Sequence, residues 1–467
     1  MAYNLLRAHY LTLHHTLSRL LSLLFLSLST PQKLLSTKAS FLQSPVFQQT
    51  TSELQGSLDS HGKYWWRTSG LLISALLEAA EYSALAQHRI LTFFGRTIAP
   101  YLGPTYTPGA PQWQSFMTDD HHPIELSWDW HTGHQPPTVR FSIEPVGIHA
   151  GTPADPENQK ADISFRTAMT AALPDTHMAW PPSKIFYAFD LSANSIKGKA
   201  YFFPGFQARA TNQTNLEVLS AAIASAPGCS STCDNPNPLV ALHAFQDFAR
   251  DSLTPPLEMD MLAIDMDPPA ESHLKIYSRN RVTSFTSVRQ MMTLGGRIPP
   301  SEDLARGLQT LRSLWDALLD QSSTPESHLL TPINHRSAGI LYNVEFRPYS
   351  ASLKVKIYIP VRHYASSDEH ILTAIRTFMT SQSQDAYLRR DYGTVLRRIV
   401  SGFRSPSLPR LLIPQTDTRL VSLSHDDALR DRGLHTYIGC SIQAGGDLRV
   451  VSYVNGQGPK LIDGVRV

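Results

Sequence analysis

A Lys-x-Tyr tripeptide occurs three times in this sequence, as Lys199-Ala-Tyr201, Lys275-Ile-Tyr277 and Lys356-Ile-Tyr358. Residues i and i+2 of a β-strand point to the same face, so each copy would direct one ammonium group and one phenol toward the same space. With 17 tyrosines in 467 residues, chance placement would give about 0.4 such tripeptides in total. Three copies, 76 and 81 residues apart, indicate a recurring unit whose strands surround one cavity.

Further residues share the inward phase of the predicted strands, namely Arg140 on the second strand and Tyr437 and Tyr453 on the last pair. Buried cations are unfavourable unless an anion compensates them. Arg140 together with the three repeat lysines therefore predicts a highly charged ligand, most simply a diphosphate. Each charge-assisted hydrogen bond to it would contribute roughly 1.5–3 kcal/mol.

The tyrosines suit the chemistry that follows if an allylic diphosphate ionises. Their ring faces attract a carbocation by up to about 2 kcal/mol in a desolvated site, and they exclude water. The predicted shield consists of Tyr201, Tyr277, Tyr358, Tyr437 and Tyr453. The alternative interpretation is that each Lys-x-Tyr pairs a solvated lysine with a tyrosine that merely favours strands, but its recurrence in phase with the strand pairs disfavours this view.

Glu125 lies in the apolar stretch Pro123-Ile-Glu-Leu-Ser127. A buried carboxylate here could accept a hydrogen bond from the N–H or O–H of an acceptor molecule and withdraw its proton. The alternative is a paired surface carboxylate, since strand phase can place Glu125 on either face. The sequence leaves the two alternatives open.

Composition narrows the classes of function. The chain is 42% hydrophobic and 17% charged with a net charge of +2, which favours a large core and gives no reason to expect a nucleic-acid partner. The three cysteines (Cys229, Cys233 and Cys440) are too few for a disulfide scaffold or a zinc site. The sequence contains neither a Walker-type glycine loop nor an Asp-rich run, so we expect no metal and no cofactor, with the protein's own cations neutralising a diphosphate.

The first 62 residues are predicted to be a leader and linker, amphipathic or poorly ordered, with the globular domain spanning residues 63–467. Residues 20–28 form an apolar run that is shorter than a membrane span. We expect a cytoplasmic protein, with membrane association through the leader as a minor alternative and a homodimer left open.

The elements that position these residues alternate between strand pairs and helices. The pairs are predicted at 124–130 with 138–143, 185–192 with 197–204, 258–266 with 272–279, 338–347 with 352–361, and 434–442 with 447–454. Helices are predicted at 70–91, 214–226, 237–250, from a cap at Ser301 to 320, at 367–382 and at 385–403. Ten antiparallel strands can avoid open edges by closing, so the predicted fold class is α+β, an antiparallel ten-stranded barrel surrounded by helices.

Ordered motifs from residue 63 to 453 resemble the fungal aromatic prenyltransferases of the dimethylallyltryptophan synthase type. The motifs are Tyr64-Trp-Trp-Arg-Thr-Ser-Gly70, Ile98-Ala-Pro-Tyr-Leu-Gly-Pro104, Arg140-Phe-Ser-Ile-Glu-Pro145, Thr293-Leu-Gly-Gly-Arg297, the segment around Glu125 and the three Lys-x-Tyr strands. The resemblance implies a barrel of repeated α-β-β-α units and metal-independent transfer of a dimethylallyl group from its diphosphate to an electron-rich aromatic ring, in secondary metabolism.

The resemblance also implies roles for individual residues. Glu125 matches the acceptor-binding glutamate, Arg140, Lys199, Lys275 and Lys356 match diphosphate-binding positions, and the five tyrosines match shield positions. His273 stands where an arginine is common, so diphosphate binding would be weaker or pH-sensitive. Met117, Phe186 and Phe203 are expected to line the acceptor pocket.

Phe186 replaces a catalytic lysine of tryptophan-prenylating members, Phe203 replaces a hydroxyl-bearing ring, and residues 255–261 contain no arginine. These departures favour a polycyclic polyketide, an indole diterpene or a cyclic dipeptide over a free amino acid. Two other hypotheses stay open. One is a non-catalytic barrel that binds an apolar aromatic or prenyl ligand, and the other is hydrolysis of the allylic diphosphate as the main reaction.

Overall fold

A closed barrel of ten antiparallel strands lies at the centre of the structure. The computed structural model describes residues 44–107, 109–132, 135–161, 165, 185–226, 229, 237–268, 271–382, 392–403 and 432–455. Consecutive strands pair with one another, and β1 pairs with β10 to close the sheet, which leaves no open edge. The strands are β1 Ile124–His131, β2 Thr138–Ile143, β3 Ile185–Leu191, β4 Ile196–Phe202, β5 Leu257–Asp265, β6 Leu274–Asn280, β7 Ile340–Phe346, β8 Lys354–Ile359, β9 His435–Ile442 and β10 Leu448–Asn455.

Helices precede, separate and coat these strand pairs in the described part of the chain. They are α1 Pro45–Glu53, α2 Ser60–Trp65, α3 Leu71–Ala79, α4 Ala84–Phe93, α5 Gly205–Thr211, α6 Asn215–Ala224, α7 Val240–Arg250, α8 Phe285–Thr293, α9 Glu302–Leu319, α10 Val361–Tyr364, α11 Asp368–Ser381 and α12 Tyr392–Phe403. The predicted α+β class and the closed ten-stranded barrel are confirmed.

The core lies between the outer face of the barrel and the helices. Outward-facing strand residues such as Tyr187, Ile276 and Ile357 are fully buried in it. Helix α9 contributes an apolar stripe that includes Leu311 and Trp315, the spacing expected of a helix with one buried face. Because outward side chains fill the core, the alternate residues of each strand are free to line the lumen.

The predicted linker is wrong for residues 44–62, because this segment is part of the fold. Helix α1 packs on the body of the protein through Phe47, whose ring stacks on Trp66 with centroids 4.7 Å apart. Leu54 is only 3% exposed. The Ser- and Gln-rich composition concealed these few apolar anchors. Residues 1–43, the predicted leader, lie outside the described residues.

The single helix predicted over residues 70–91 is two helices. The chain turns between α3 and α4, where Ser83 caps α4 by accepting a hydrogen bond from the Ala86 amide. Tyr82 uses this turn to reach the barrel, since its hydroxyl donates to the carbonyl oxygen of Leu191 and accepts from the amide of Val139. A continuous helix would carry Tyr82 away from these partners.

Two further expectations concern cysteines and membranes. Cys229 and Cys440 are free and buried, while Cys233 lies outside the described residues. Among the described helices, none combines the length and the apolar character that crossing a bilayer requires.

Candidate active site

Two cavities meet inside the barrel and share a wall of tyrosines. The charged cavity, about 390 Å³, is lined by Arg140, Lys199, Lys275 and Lys356. The aromatic cavity, about 290 Å³, is lined on one side by Phe116, Phe186 and Phe203. The side chains that line both cavities include Tyr201, Tyr277, Tyr358 and Tyr453. The three Lys-x-Tyr strands therefore each place their lysine on one cavity and their tyrosine at the boundary.

The cations of the charged cavity are paired with carboxylates of neighbouring strands. Arg140 lies between two of them, with Nη2 2.6 Å from Asp129 Oδ2 and Nε 2.8 Å from Asp190 Oδ1. The Nζ atom of Lys199 is 2.7 Å from Asp190 Oδ2. Burial opposes ionisation of Asp190, but the charges of Arg140 and Lys199 outweigh it and hold the pKa of this carboxyl well below its usual range.

Lys275 has the same kind of environment. Its Nζ atom lies 2.6 Å from Asp265 Oδ1 and 3.8 Å from Glu345 Oε2. Burial and the nearby Lys199 charge lower the pKa of Lys275 despite these partners. A diphosphate entering the cavity would thus compete with carboxylates that already hold the lysines and the arginine.

Lys356 differs from the other three cations, because no carboxylate of the described residues forms an ion pair with it. Its Nζ donates to the Tyr453 hydroxyl at 3.1 Å and sits 4.7 Å from the centroid of the Tyr358 ring. Gly439 makes room for it, since a Cβ there would lie 2.9 Å from Lys356 Cε. Burial, reinforced by the Arg140 charge, lowers the pKa of Lys356 to about 7.

The structure does not place His273 on the wall of the charged cavity. Its Nδ1 lies 3.2 Å from Asp265 Oδ2, and its Nε2 accepts a hydrogen bond from Arg347. Direct contact between His273 and the diphosphate therefore stays a prediction that this geometry does not favour. Its link to the cavity runs through Asp265, which also binds Lys275.

The tyrosine wall is continuous. Ring centroids are 5.8 Å apart from Tyr201 to Tyr277, 5.7 Å from Tyr277 to Tyr358 and 5.7 Å from Tyr358 to Tyr453. Burial raises the pKa of Tyr201 and of Tyr358 well above 10, so these phenols stay neutral. Tyr437 lines only the aromatic cavity and meets the Tyr358 ring edge-on at 6.5 Å. A wall of neutral aromatic rings can face a carbocation without capturing it.

Glu125 lines the aromatic cavity, which resolves its strand phase in favour of the lumen. Its Oε1 accepts a hydrogen bond from Thr436 Oγ1 at 2.6 Å. Burial raises the pKa of Glu125 to about 7, and the Asp119 charge adds to the shift. A carboxyl with such a pKa can accept or release a proton near neutral pH.

The predicted acceptor residues occupy the same cavity. The Phe186 ring stacks on Tyr201 with centroids 4.0 Å apart. Phe203 meets Phe116 edge-to-face at 4.8 Å, and Met117 also lines the wall. Together these side chains form an apolar slot for a flat ring.

Several charged residues of the site were missed at the level of sequence. Asp190, Glu345 and Arg449 line the charged cavity, and Asp129 and Asp265 pair with its cations Arg140 and Lys275. In the aromatic cavity they are Asp119, Asp260, Arg279, Arg336, Arg362 and His363. The carboxylates of β1, β3, β5 and β7 share the inward phase of their strands, a signal that strand alternation alone could have revealed.

A barrel in which a cationic cavity and an aromatic cavity meet at a tyrosine wall defines the prenyltransferase class that the sequence resembles. A family model described as tryptophan dimethylallyltransferase matches residues 61–181 and 167–392. The chain belongs to this family and is an aromatic prenyltransferase.

Individual relatives agree with this assignment. The chain is 31% identical over 411 residues to the 4-O-dimethylallyl-L-tyrosine synthase of Claviceps purpurea, covering 82% of this chain and 86% of that protein. It is 32% identical over 350 residues to the 7-dimethylallyltryptophan synthase of Aspergillus fumigatus, covering 68% and 73%. The crystal structure of NotF in complex with brevianamide F and DMSPP shares the fold, with a TM-score of 0.64, 22% identity and coverage of 86% and 96%.

Proposed function

We propose that this chain transfers a dimethylallyl group from its diphosphate to an electron-rich aromatic acceptor, with the donor in the charged cavity and the acceptor in the aromatic cavity. The observation that carries this assignment is the shared tyrosine wall. Because Tyr201, Tyr277, Tyr358 and Tyr453 line both cavities, a dimethylallyl group held there faces the acceptor directly.

On the donor side, Arg140, Lys199, Lys275 and Lys356 bind the diphosphate. Their charges stabilise the negative charge that develops on the leaving group as its C–O bond breaks, the role that a metal ion fulfils in other diphosphate enzymes. We therefore propose that no metal is required. The carboxylates that pair with Arg140, Lys199 and Lys275 keep these three cations in place before the donor arrives.

On the acceptor side, the ring lies in the slot formed by Phe186 and Phe203. Its electron pair attacks the allylic carbon, and a new bond from that carbon to the acceptor replaces the bond to the diphosphate oxygen. The acceptor then loses one proton. Glu125 accepts a hydrogen bond from the acceptor's O–H or N–H group and takes this proton, which its pKa of about 7 permits.

The test is to incubate the purified protein with dimethylallyl diphosphate and a panel of aromatic acceptors, with a chelator present. The names of the two relatives mention L-tyrosine and tryptophan, so these amino acids belong in the panel beside hydroxyxanthones, indole diterpenes and cyclic dipeptides. We expect mass spectrometry to find one dimethylallyl unit added to an acceptor and an equal amount of diphosphate released.

Two outcomes would contradict the proposal. Acceptor binding without diphosphate release would support the non-catalytic barrel, and diphosphate release with dimethylallyl alcohol as the only product would support hydrolysis. The Glu125→Gln variant is the matched control for the proposed base, because it keeps the shape of the side chain and removes its basicity. We also propose a cytoplasmic location, which agrees with the free thiols of Cys229 and Cys440.

A further inference from the structure

The carboxyl group of Glu125 has one hydrogen-bond partner in the described part of the protein. Its Oε1 accepts a hydrogen bond from Thr436 Oγ1 at 2.6 Å, and no other donor of the described residues bonds either carboxylate oxygen. Both side chains line the aromatic cavity. The carboxyl group is therefore divided between one oxygen that the protein holds and a second oxygen, Oε2, that remains available to a ligand.

Thr436 reaches Glu125 because strand β9 contains a β-bulge at this point. The register between β10 and β9 shifts between Ser452 and Val454. Two residues of β9, Thr436 and Tyr437, therefore stand opposite one residue of β10. Consecutive residues of a regular strand point to opposite faces, yet both Thr436 and Tyr437 line the aromatic cavity. Bulges re-aim single side chains in this way and are frequent beside active sites.

The charged and titratable groups around Glu125 do not replace this hydrogen bond. The Asp119 charge raises the pKa of Glu125 and the Arg362 charge lowers it. Because Arg362 Nε lies 3.1 Å from Asp119 Oδ2, the two opposite charges largely cancel. The other titratable groups that act on Glu125 are the phenols of Tyr437 and Tyr453, and burial raises the pKa of both, which keeps them neutral. The threonine hydroxyl is therefore the group that bonds the ionised carboxylate.

We propose that Thr436 is a positioning residue for the base, which holds Glu125 ionised with Oε1 occupied and Oε2 left for the O–H or N–H group of the acceptor. A hydroxyl donates a stronger hydrogen bond to a carboxylate than to a neutral carboxylic acid, so the contact favours the form that can take up a proton. Thr436 acts through Glu125 and needs no contact with the acceptor. This inference rests on the proposed transfer reaction.

The variant Thr436→Val tests this role, because valine keeps the branched shape and lacks the hydroxyl. The measurement is kcat at saturating donor and acceptor from pH 6 to pH 10, taken as the ratio of variant to wild type. The ratio cancels the effect of groups that titrate equally in both proteins, such as Lys356.

Loss of the hydrogen bond should raise the pKa of Glu125 further above its value of about 7, by about one to two pH units. The carboxylate is then protonated over a wider range of pH. We expect kcat of Thr436→Val to be about tenfold to 100-fold below that of the wild type at pH 6 and to approach it near pH 10.

Three further variants separate this role from a structural one. Thr436→Ser keeps the hydroxyl and should follow the wild-type profile. In the Glu125→Gln background, Thr436→Val should have no pH-dependent effect, because residue 125 no longer titrates. Thr50→Val is the matched control, since Thr50 is a buried threonine that lines neither cavity and donates to the carbonyl oxygen of Val46. Thermal melting confirms that each variant is folded.

The outcomes are distinct. A ratio of kcat values that does not change with pH in a folded Thr436→Val variant overturns the inference, whether that ratio is close to one or uniformly low. A Thr436→Ser profile equal to that of Thr436→Val also overturns it, as does a pH-dependent effect of Thr436→Val that persists in the Glu125→Gln background. A wild-type protein that modifies no acceptor contradicts the proposed function itself.

Discussion

Replacing Lys356 with methionine should weaken donor binding and at the same time stabilise the free enzyme. A lysine normally titrates at 10.5, and burial lowers the pKa of Lys356 to about 7. Its folded-state pKa lies below its unfolded value, so the folded protein binds the proton less well than the unfolded chain. Charging this side chain therefore destabilises the fold, fully below pH 7 and not at all above about pH 10.5.

The magnitude follows from the size of the pKa change. A fall from 10.5 to about 7 corresponds to an upper limit of about 5 kcal/mol at acidic pH, at roughly 1.4 kcal/mol for each tenfold change in proton affinity. Lys356→Met also loses the hydrogen bond to Tyr453, and this loss offsets about 1 kcal/mol of the gain in unfolding free energy. We expect the variant to gain a few kcal/mol in free energy of unfolding at pH 6 and progressively less as the pH rises from 7 to 10.

Donor binding should show the opposite effect. A bound diphosphate favours the charged lysine, so binding takes up a proton. The Kd for the donor analogue dimethylallyl thiolodiphosphate (DMSPP) should therefore rise by up to about tenfold per pH unit above 7. Calorimetry in buffers of different ionisation enthalpy measures this uptake directly. Lys356→Met should bind the analogue more weakly and lose the pH dependence that comes from Lys356. Any pH dependence that the variant keeps then comes from titration of the diphosphate itself.

Lys197→Met is the matched control, because Lys197 is 61% exposed and pairs with Asp267 outside the cavity. It should keep the wild-type proton uptake. The reasoning would be refuted if wild type and Lys356→Met took up the same number of protons at pH 7, or if Lys356→Met lowered the free energy of unfolding at pH 6.

Three further predictions concern single side chains. Glu125→Gln should lower kcat by about 100-fold. The wild-type rate should fall as the pH drops below 7, because Glu125 becomes protonated there. A pH–rate profile of the Glu125→Gln variant should lack this fall at acidic pH. Gly439→Ala should weaken donor binding, because the added Cβ would crowd Lys356. Gly205→Ala is the control and should leave donor binding unchanged, since its added Cβ would meet only one atom, at 3.7 Å. Calorimetry with the donor analogue compares the two variants. Asp368→Asn should cost about 1–3 kcal/mol of unfolding free energy in urea titrations, because this buried carboxylate accepts from two backbone amides near the start of β9 and contacts a histidine, with little change in KM.

The barrel was predictable because strand alternation is a local property of the sequence. The period of two places Lys199 and Tyr201 on the same face of their strand, and the strand pairs located the hairpins. Glu125 could not be assigned in the same way, since nothing local distinguishes the lumen from the core on an apolar strand. Its position follows from its pairing with Asn455 on β10, which requires the barrel to close.

The charge pairing of the site depends on contacts between strands distant in sequence. Arg140 lies opposite Asp190 and Lys199 opposite Asp265 only because of the register between their strands. Arg362 and Asp119 come from segments outside the strands and meet only in the folded protein. A search for inward carboxylates would have found Asp190, but no local pattern marks Arg362.

The most direct test of the account is a crystal structure of the protein with DMSPP bound. We predict that the diphosphate contacts Arg140, Lys199, Lys275 and Lys356 and that the dimethylallyl group rests against the tyrosine wall, facing Glu125 across the aromatic cavity. A diphosphate bound instead in the aromatic cavity, against Arg336 and Arg362, would contradict both the placement of the donor and the role assigned to the two cavities.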